Sequence, residues 1–183
     1  MGLLPGSAQT DLALLERLSQ SADLADLERA AALINGEFLS GFNSGEEAFD
    51  DWLRDRRRHA EVIATGTLEK YTRLADRAGK GLQAIVAVGR LLAIDPLRED
   101  WQRLALTIYA KHRGRNEALV QAAVFEKRLQ DELQADLEPQ TRDLIGRIER
   151  GAFETASPTA PAVEADARNR DEAVITGKAD ASA

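Results

Sequence analysis

The stretch of sequence that decides the fold is residues 79–96, GKGLQAIVAVGRLLAIDP. It begins with Gly79, a residue type that commonly ends a helix, and closes on Pro96, which cannot continue one. Between these two breakers, residues 82–94 have the composition and apolar spacing of a helix. Ala84 is a small residue placed where a second helix could approach closely. The stretch therefore predicts the second helix of an antiparallel pair.

The same arrangement recurs further along the chain. Ala118 follows Ala84 by 34 residues, and Gly114 supplies a turn shortly before it. The intervening segment places Trp101 and Ile108 on one helical face, as expected for the first helix of a second pair. A period of 34 residues is typical of tetratricopeptide (TPR) repeats. We therefore predict an all-α, TPR-like stack of antiparallel helix pairs.

The remaining sequence extends this pattern to about seven helices joined by short turns, with no segment of strand character. After residue 151 the composition becomes rich in alanine and poor in large apolar side chains. Such a segment buries too little apolar surface to offset the entropy of ordering it. We expect a flexible N-terminus over 1–10, a helical domain over 11–151 and a disordered tail or linker over 152–183.

Composition narrows the possible functions. The chain carries a net charge of −7 and contains two histidines. It has no cysteine, which excludes disulfides and thiolate metal sites. No sequence motif for a nucleophile elbow, a phosphate-binding loop or a zinc-binding helix is present. We expect no catalytic residue, no cofactor, no metal ion and no membrane contact, and a cytoplasmic location.

Several aromatic residues lie beside glycines or on apolar helical stripes. The segment GEFLSGF, residues 36–42, is too aromatic for a solvent loop, so we expect Phe38 and Phe42 to pack into the core. Trp52 and Trp101 could anchor a partner, because tryptophan is enriched at interface hot spots. Their position on apolar stripes favours core packing for both.

Four motifs occur in an order that resembles one known family. They are GEFLSGF at 36–42, FDDWL at 49–53, DPLRED beginning at Asp95 and Pro96, and DLEPQTR at 136–142. In this order they look like the bacterial transcriptional activator domain (BTAD) of SARP-type regulators, over residues 11–151. The resemblance implies a domain that contributes to self-association and to transcription activation.

In regulators of that type a winged-helix DNA-binding domain precedes the BTAD. The ten residues before the first predicted helix are too few to form one. The resemblance therefore implies that DNA is contacted only through a domain absent from this chain. The partners expected for the chain itself are proteins, either another copy or the transcription machinery.

The concave side of a TPR-like stack is lined by the first helix of each pair, and such surfaces typically bind peptides. On the predicted register these positions surround Glu69 and Asp76. The candidate partner-binding residues are Arg73, Arg77, Gln102, Leu106 and Tyr109. The alternative is that they are ordinary exposed residues.

A basic run on the long third helix is the densest positive patch of the chain. Arg54, Arg57 and Arg58 could contact DNA phosphate or an acidic partner. Acidic residues interleave the run at helical spacing, which favours a solvated helix face with weak intrahelical ion pairs.

These observations favour a non-enzymatic regulatory module of a bacterial transcriptional activator that works through protein–protein contacts. The alternative is a general TPR-type adaptor of another signalling protein, for example one that regulates a cyclase or an NTPase. The two hypotheses differ in the domain that accompanies the module, a winged helix in the first and a catalytic domain in the second.

Overall fold

The structure, a computed structural model, describes residues 11–36, 40–42 and 45–153. Within these ranges the chain forms seven α-helices and no strand, as predicted. The helices are α1 Asp11–Ser19, α2 Leu24–Leu33, α3 Glu47–Arg77, α4 Gly81–Ile94, α5 Glu99–His112, α6 Arg115–Leu133 and α7 Pro139–Glu149. The expected flexible N-terminus, Phe38 and residues 154–183 of the expected tail lie outside the described residues, whereas Phe153, at the start of that tail, packs against the apolar residues of α5, α6 and α7.

Local chemistry explains where several helices begin and end. The Asp23 side chain accepts hydrogen bonds from the backbone N–H groups of Ala25 and Asp26, at 2.8 and 3.2 Å, and so caps the start of α2. Gly79 and Gly114 have φ angles of 71° and 93°, which glycine adopts without steric cost. They make the tight turns from α3 to α4 and from α5 to α6, as the spacing of the glycines predicts.

Each helix packs mainly on its neighbours in the chain. The principal contacts join consecutive helices from α1 to α7, together with α1 to α3 and α5 to α7. The largest apolar core lies between α2, α3, α4 and α5 and includes Leu68, Leu91 and Trp101. A second core joins α5, α6 and α7 around Leu106 and Ile148.

The two alanines that mark the predicted repeat are fully buried. Ala84 lies in the core shared with α3 and α5, and Ala118 lies in the core shared with α5 and α7. A small side chain at such a position lets two helix backbones approach closely. Trp101 is also buried, at 3% exposure, as predicted.

The core-packing prediction is wrong for Phe42 and Trp52, whose exposed fractions are 49% and 45%. Phe42, Phe49 and Trp52 form a row of ring contacts instead, edge-to-face between the two phenylalanines at 5.7 Å and tilted between Phe49 and Trp52 at 5.1 Å. Arg56 covers the Trp52 ring at 5.8 Å. The neighbouring Leu53 is buried at 2% exposure, so the covered face of α3 passes through Leu53, and Trp52 projects to the side of it.

Candidate protein-binding groove

A polar groove of about 520 Å³ runs between the C-terminal half of α3 and the length of α5. Because α3 and α5 are the first helices of successive pairs, the groove occupies the place predicted for a concave binding surface. Its walls are formed by Arg73, Asp76, Arg77, Asp100, Arg103, Leu104, Thr107, Ile108 and Lys111. Four of these side chains are cationic and two are acidic, so the lining has a positive balance in a chain of net charge −7.

Asp76 joins the two walls at one end of the groove. Its carboxylate accepts from Lys111 Nζ at 2.7 Å and lies 2.8 Å from His112 Nε2. Burial raises the pKa of Asp76, but the hydrogen bonds from Lys111 and His112 outweigh burial and lower the pKa below its usual value of 3.8. Asp76 is therefore a charged crosslink from α3 to α5.

The His112 ring also fixes the turn between α3 and α4. It lies so close to the backbone of Gly81 that a β-carbon there would meet His112 Nδ1 at 2.4 Å. Only glycine fits this position without displacing the ring. Through its contacts with Asp76 and Gly81, His112 therefore holds the C-terminal end of α5 against α3 and α4.

Arg103 lies at the centre of the α5 wall and connects the groove to α7. Its Nη1 donates to Glu138 Oε2 at 2.7 Å and to Thr141 Oγ1 at 3.0 Å. The Thr141 hydroxyl donates in turn to Glu99, whose carboxylate also accepts from the Glu138 backbone N–H at 3.0 Å. Glu99 therefore holds the start of α7 against α5, because it satisfies a backbone donor ahead of the first turn of α7.

At the entrance of the groove, Asp100 is held by Arg98 through hydrogen bonds of 2.8 and 3.1 Å. Burial by itself raises the pKa of Asp100. The hydrogen bond and the positive charge of Arg98 together have the larger, opposite effect, so the pKa lies below its usual value of 3.8. The Arg98 guanidinium lies 4.1 Å from the Trp101 ring centroid. This stacking keeps Arg98 beside Asp100 and orders the groove entrance.

The two arginines that α3 contributes to the groove, Arg73 and Arg77, differ in their ion pairing. Arg73 donates to Glu69 one turn earlier, at 2.8 Å. Arg77 is exposed and has no ion-pair partner within 4.0 Å among the described residues. Arg77 is therefore the groove cation with its charge most available to a bound chain.

The structure places the sequence-predicted binding residues in two environments. Arg73 and Arg77 line the groove. Gln102, Leu106 and Tyr109 do not line the groove, and their side chains are buried or half-buried on other sides of α5. Gln102 donates instead to Pro96 O at 2.8 Å, and Leu106 packs against α6 and α7 in the second core.

The residues that sequence reasoning missed are Arg103 and Thr107, which stand with Lys111 on the α5 wall. Because α4, α6 and α7 all pack on α5, only a narrow strip of α5 remains open to the groove. The three residues recur at intervals of four in an otherwise apolar stretch, a polar strip that the sequence does display. The residues predicted to form this wall lie about one position away from the polar strip in the sequence.

The basic run lies on the N-terminal part of α3, outside the groove. Arg54 pairs with Asp51 on its own helix, and Arg57 donates to the Phe42 carbonyl at 3.2 Å. Arg58 is exposed.

Asp95 and Pro96, from the DPLRED motif, make the turn into α5, where Asp95 Oδ1 accepts from Leu97 N at 3.0 Å.

Over the described residues, no group of three or more potential ligands is placed to hold a metal ion. None of the described helices combines the length and the apolar character that crossing a membrane requires.

Comparison with known proteins gives one positive result. No curated protein matches the chain. The family model described as the bacterial transcriptional activator domain matches residues 7–149, which include all seven helices and the whole groove. Since that match covers more than half of the sequence, the chain belongs to the bacterial transcriptional activator domain family.

Proposed function

We propose that the chain is a non-enzymatic regulatory module of a bacterial transcriptional activator, and that it acts by holding a segment of another protein in the groove between α3 and α5. The observation that carries this proposal is the position of the groove inside the matched family region, on the helices of two successive pairs. Grooves of helical repeat proteins are used for peptide binding.

The charge of the groove indicates the kind of segment it would hold. The lining has two more cations than carboxylates, and one of these cations, Arg77, has no ion-pair partner among the described residues. A positive groove attracts acidic segments and speeds their association, although it adds less to affinity than apolar contacts do. We therefore propose that the partner contributes an acidic stretch whose carboxylates approach the groove cations.

The proposed partner is the transcription machinery, because activation requires contact with RNA polymerase. DNA contact is assigned to a separate winged-helix domain of the same regulator, and the cytoplasm is the proposed location. The basic run Arg54, Arg57 and Arg58 is given no separate role, since Arg54 is paired on its own helix and Arg57 is bonded to the Phe42 carbonyl.

The test is a pull-down of bacterial RNA polymerase by the full chain, followed by affinity measurement for the wild type and for Arg77→Glu. We expect Arg77→Glu to weaken binding about tenfold, since reversing one groove charge removes an attraction and adds a repulsion. Binding of the wild type should also fall as salt rises, because exposed charges are screened.

Arg115→Glu is the matched control. Arg115 is exposed on the first turn of α6, outside the groove, and the substitution changes the net charge of the chain by the same amount. Loss of affinity in Arg77→Glu alone would support the proposal. Failure of the wild type to bind polymerase, or equal affinities for the two variants, would overturn it.

A further inference from the structure

Arg103 differs from the other cations of the groove in where its partner comes from. Lys111, for example, pairs with Asp76, which itself lines the groove. The nearest carboxylate to Arg103 belongs to Glu138, which immediately precedes α7 and is not part of the groove lining. One cation of the groove is thus held by a carboxylate from outside the groove.

The Arg103 guanidinium is also held from its inner side by buried groups. Its Nη1 donates to Thr141 Oγ1 at 3.0 Å, and Thr141 is completely buried. The Glu99 side chain, which accepts the Thr141 hydroxyl and is only 10% exposed, lies 4.0 Å from the same nitrogen. Because neither contact involves the Glu138 side chain, both keep Arg103 in place whether or not Glu138 is bound to it.

The Glu138 side chain, by contrast, is free to turn away. It is 56% exposed, and the 2.7 Å contact with Arg103 is the one ion pair of its carboxylate among the described residues. The Glu138 backbone is held separately, since its N–H donates to Glu99 at 3.0 Å. Exposed ion pairs are individually weak. Rotation of this one side chain therefore frees a donor on Arg103 without moving the start of α7.

The freed donor is suited to a second carboxylate. The planar guanidinium of arginine presents its N–H groups in a geometry that matches carboxylate oxygens. Arg103 lines the groove and its side chain is 23% exposed, so a segment bound in the groove can reach it. The carboxylates of an acidic segment and that of Glu138 therefore compete for the same cation.

This competition favours segments with several carboxylates. A carboxylate tethered beside its partner acts at an effective concentration on the order of millimolar, which a single carboxylate in dilute solution does not match. A segment that Arg77 already holds presents its other carboxylates to Arg103 at a comparable local concentration. Weakly charged segments are thereby rejected, and specificity commonly requires such a competing element.

We propose that Glu138 is a specificity-determining residue of the groove, which occupies Arg103 when the groove is empty and is displaced by a carboxylate of the bound segment. The inference rests on the proposed function, because it takes the groove as a site for acidic segments. It adds the cation that receives the carboxylate and the kind of segment that displaces Glu138, one with several adjacent carboxylates.

The test titrates the full chain into fluorescently labelled octaglutamate and measures anisotropy, at about 50 mM salt, where exposed charges are only partly screened. Glu138→Gln is expected to bind about threefold more tightly than the wild type, the factor that loss of a competing exposed ion pair gives. Glu132→Gln is the matched control and should bind as the wild type does. Glu132 is 53% exposed, pairs with Arg128 on α6, and its substitution changes the net charge equally.

A double-mutant cycle separates competition for Arg103 from general repulsion. In an Arg103→Gln background, Glu138→Gln should give no further gain, because the contested cation is gone. Circular dichroism checks that this background is folded. A second measurement needs no variant at all. The carboxylate carbon resonance of Glu138 should shift in NMR spectra as octaglutamate saturates the wild type, whereas that of Glu126, exposed on α6, should not.

Equal affinities of Glu138→Gln and Glu132→Gln, a gain that persists in Arg103→Gln, or an unmoved Glu138 resonance would each overturn the inference. Absence of octaglutamate binding by the wild type would overturn it as well. Polymerase does not enter these measurements, so they separate the two proposals. If polymerase binding depends on Arg77 while Glu138→Gln binds octaglutamate no better than the control, the proposed function holds and this inference fails.

Discussion

The groove between α3 and α5 and the outer face of α4 belong to the same helical stack but differ in chemistry. In the groove, charged side chains join one helix to the next, as Asp76 does with Lys111. On the outer face of α4, the row formed by Leu82, Val86, Gly89 and Ala93 contains no charged side chain. One surface presents charges, whose interactions salt and pH weaken. The other presents apolar side chains, whose contacts they affect little.

The comparison also shows how a helix divides its two faces. The inner face of α4 is committed to the core, where Leu91 and Val88 are completely buried. The outer face is equally apolar in sequence but contributes nothing to that core. Mutations on the two faces of one helix should therefore have different consequences, and this gives the most direct test.

The largest expected effect is the loss of stability in Leu91→Ala. Truncating a completely buried leucine removes its transfer free energy and leaves a cavity, at a cost of about 2–5 kcal/mol. Val86→Ala should cost under about 0.5 kcal/mol, because Val86 is exposed. Denaturant unfolding measures both losses. Equal losses would mean that the outer face also supports the fold.

A smaller effect is expected from enlarging the buried alanines of the repeat. Ala84→Leu and Ala118→Leu should each lower the free energy of unfolding by about 1–3 kcal/mol, because the side chain overfills a close helix contact. The control is Ala93→Leu on the exposed outer face of α4. Thermal melting measures the midpoint of each of the three variants. An unchanged midpoint for both Ala84→Leu and Ala118→Leu would contradict the close helix packing at these positions.

The smallest effect concerns the charged crosslink in the groove. Because the pKa of Asp76 is lowered in the folded chain, its contribution to stability is present above its ordinary pKa of 3.8 and is lost as the pH falls through the lower folded value. Asp76→Asn should cost about 1 kcal/mol at about pH 5 and progressively less below about pH 4. Urea unfolding at both pH values measures the difference. A deficit that stays constant down to about pH 2 would show that the carboxylate charge is not what stabilises the groove.

Much of the fold was predictable because its breakers are local. Gly79, Gly114 and Pro139 mark helix ends by backbone chemistry alone, and the predicted helices agree with the structure to within a few residues. The buried alanines were predictable from their spacing, because close helix pairs require small residues at regular positions.

The environment of Trp52 was not predictable in the same way. An apolar stripe shows which positions of a helix are suited to burial, but not which of them the neighbouring helices cover, and α3 buries Leu53 in place of Trp52. Both tryptophans lie on such stripes, and only Trp101 is covered by other helices. The prediction of which α5 residues line the groove was wrong for a related reason. With helices packed on several sides of α5, a shift of one residue exchanges half-buried Arg103, which lines the groove, for buried Gln102, which does not.

The nearest-neighbour pattern of helix contacts has a kinetic consequence. Since each helix packs mainly on those next to it in the chain, the loops that must close during folding are short. Chains dominated by local contacts fold quickly, and those built as linear stacks can begin at any repeat and propagate. Residues that join α4 to its neighbours, such as Leu91, take part in both directions of that growth. Among the described helices, α1 and α7 pack least against the rest of the stack, so we expect local unfolding to begin at these two ends.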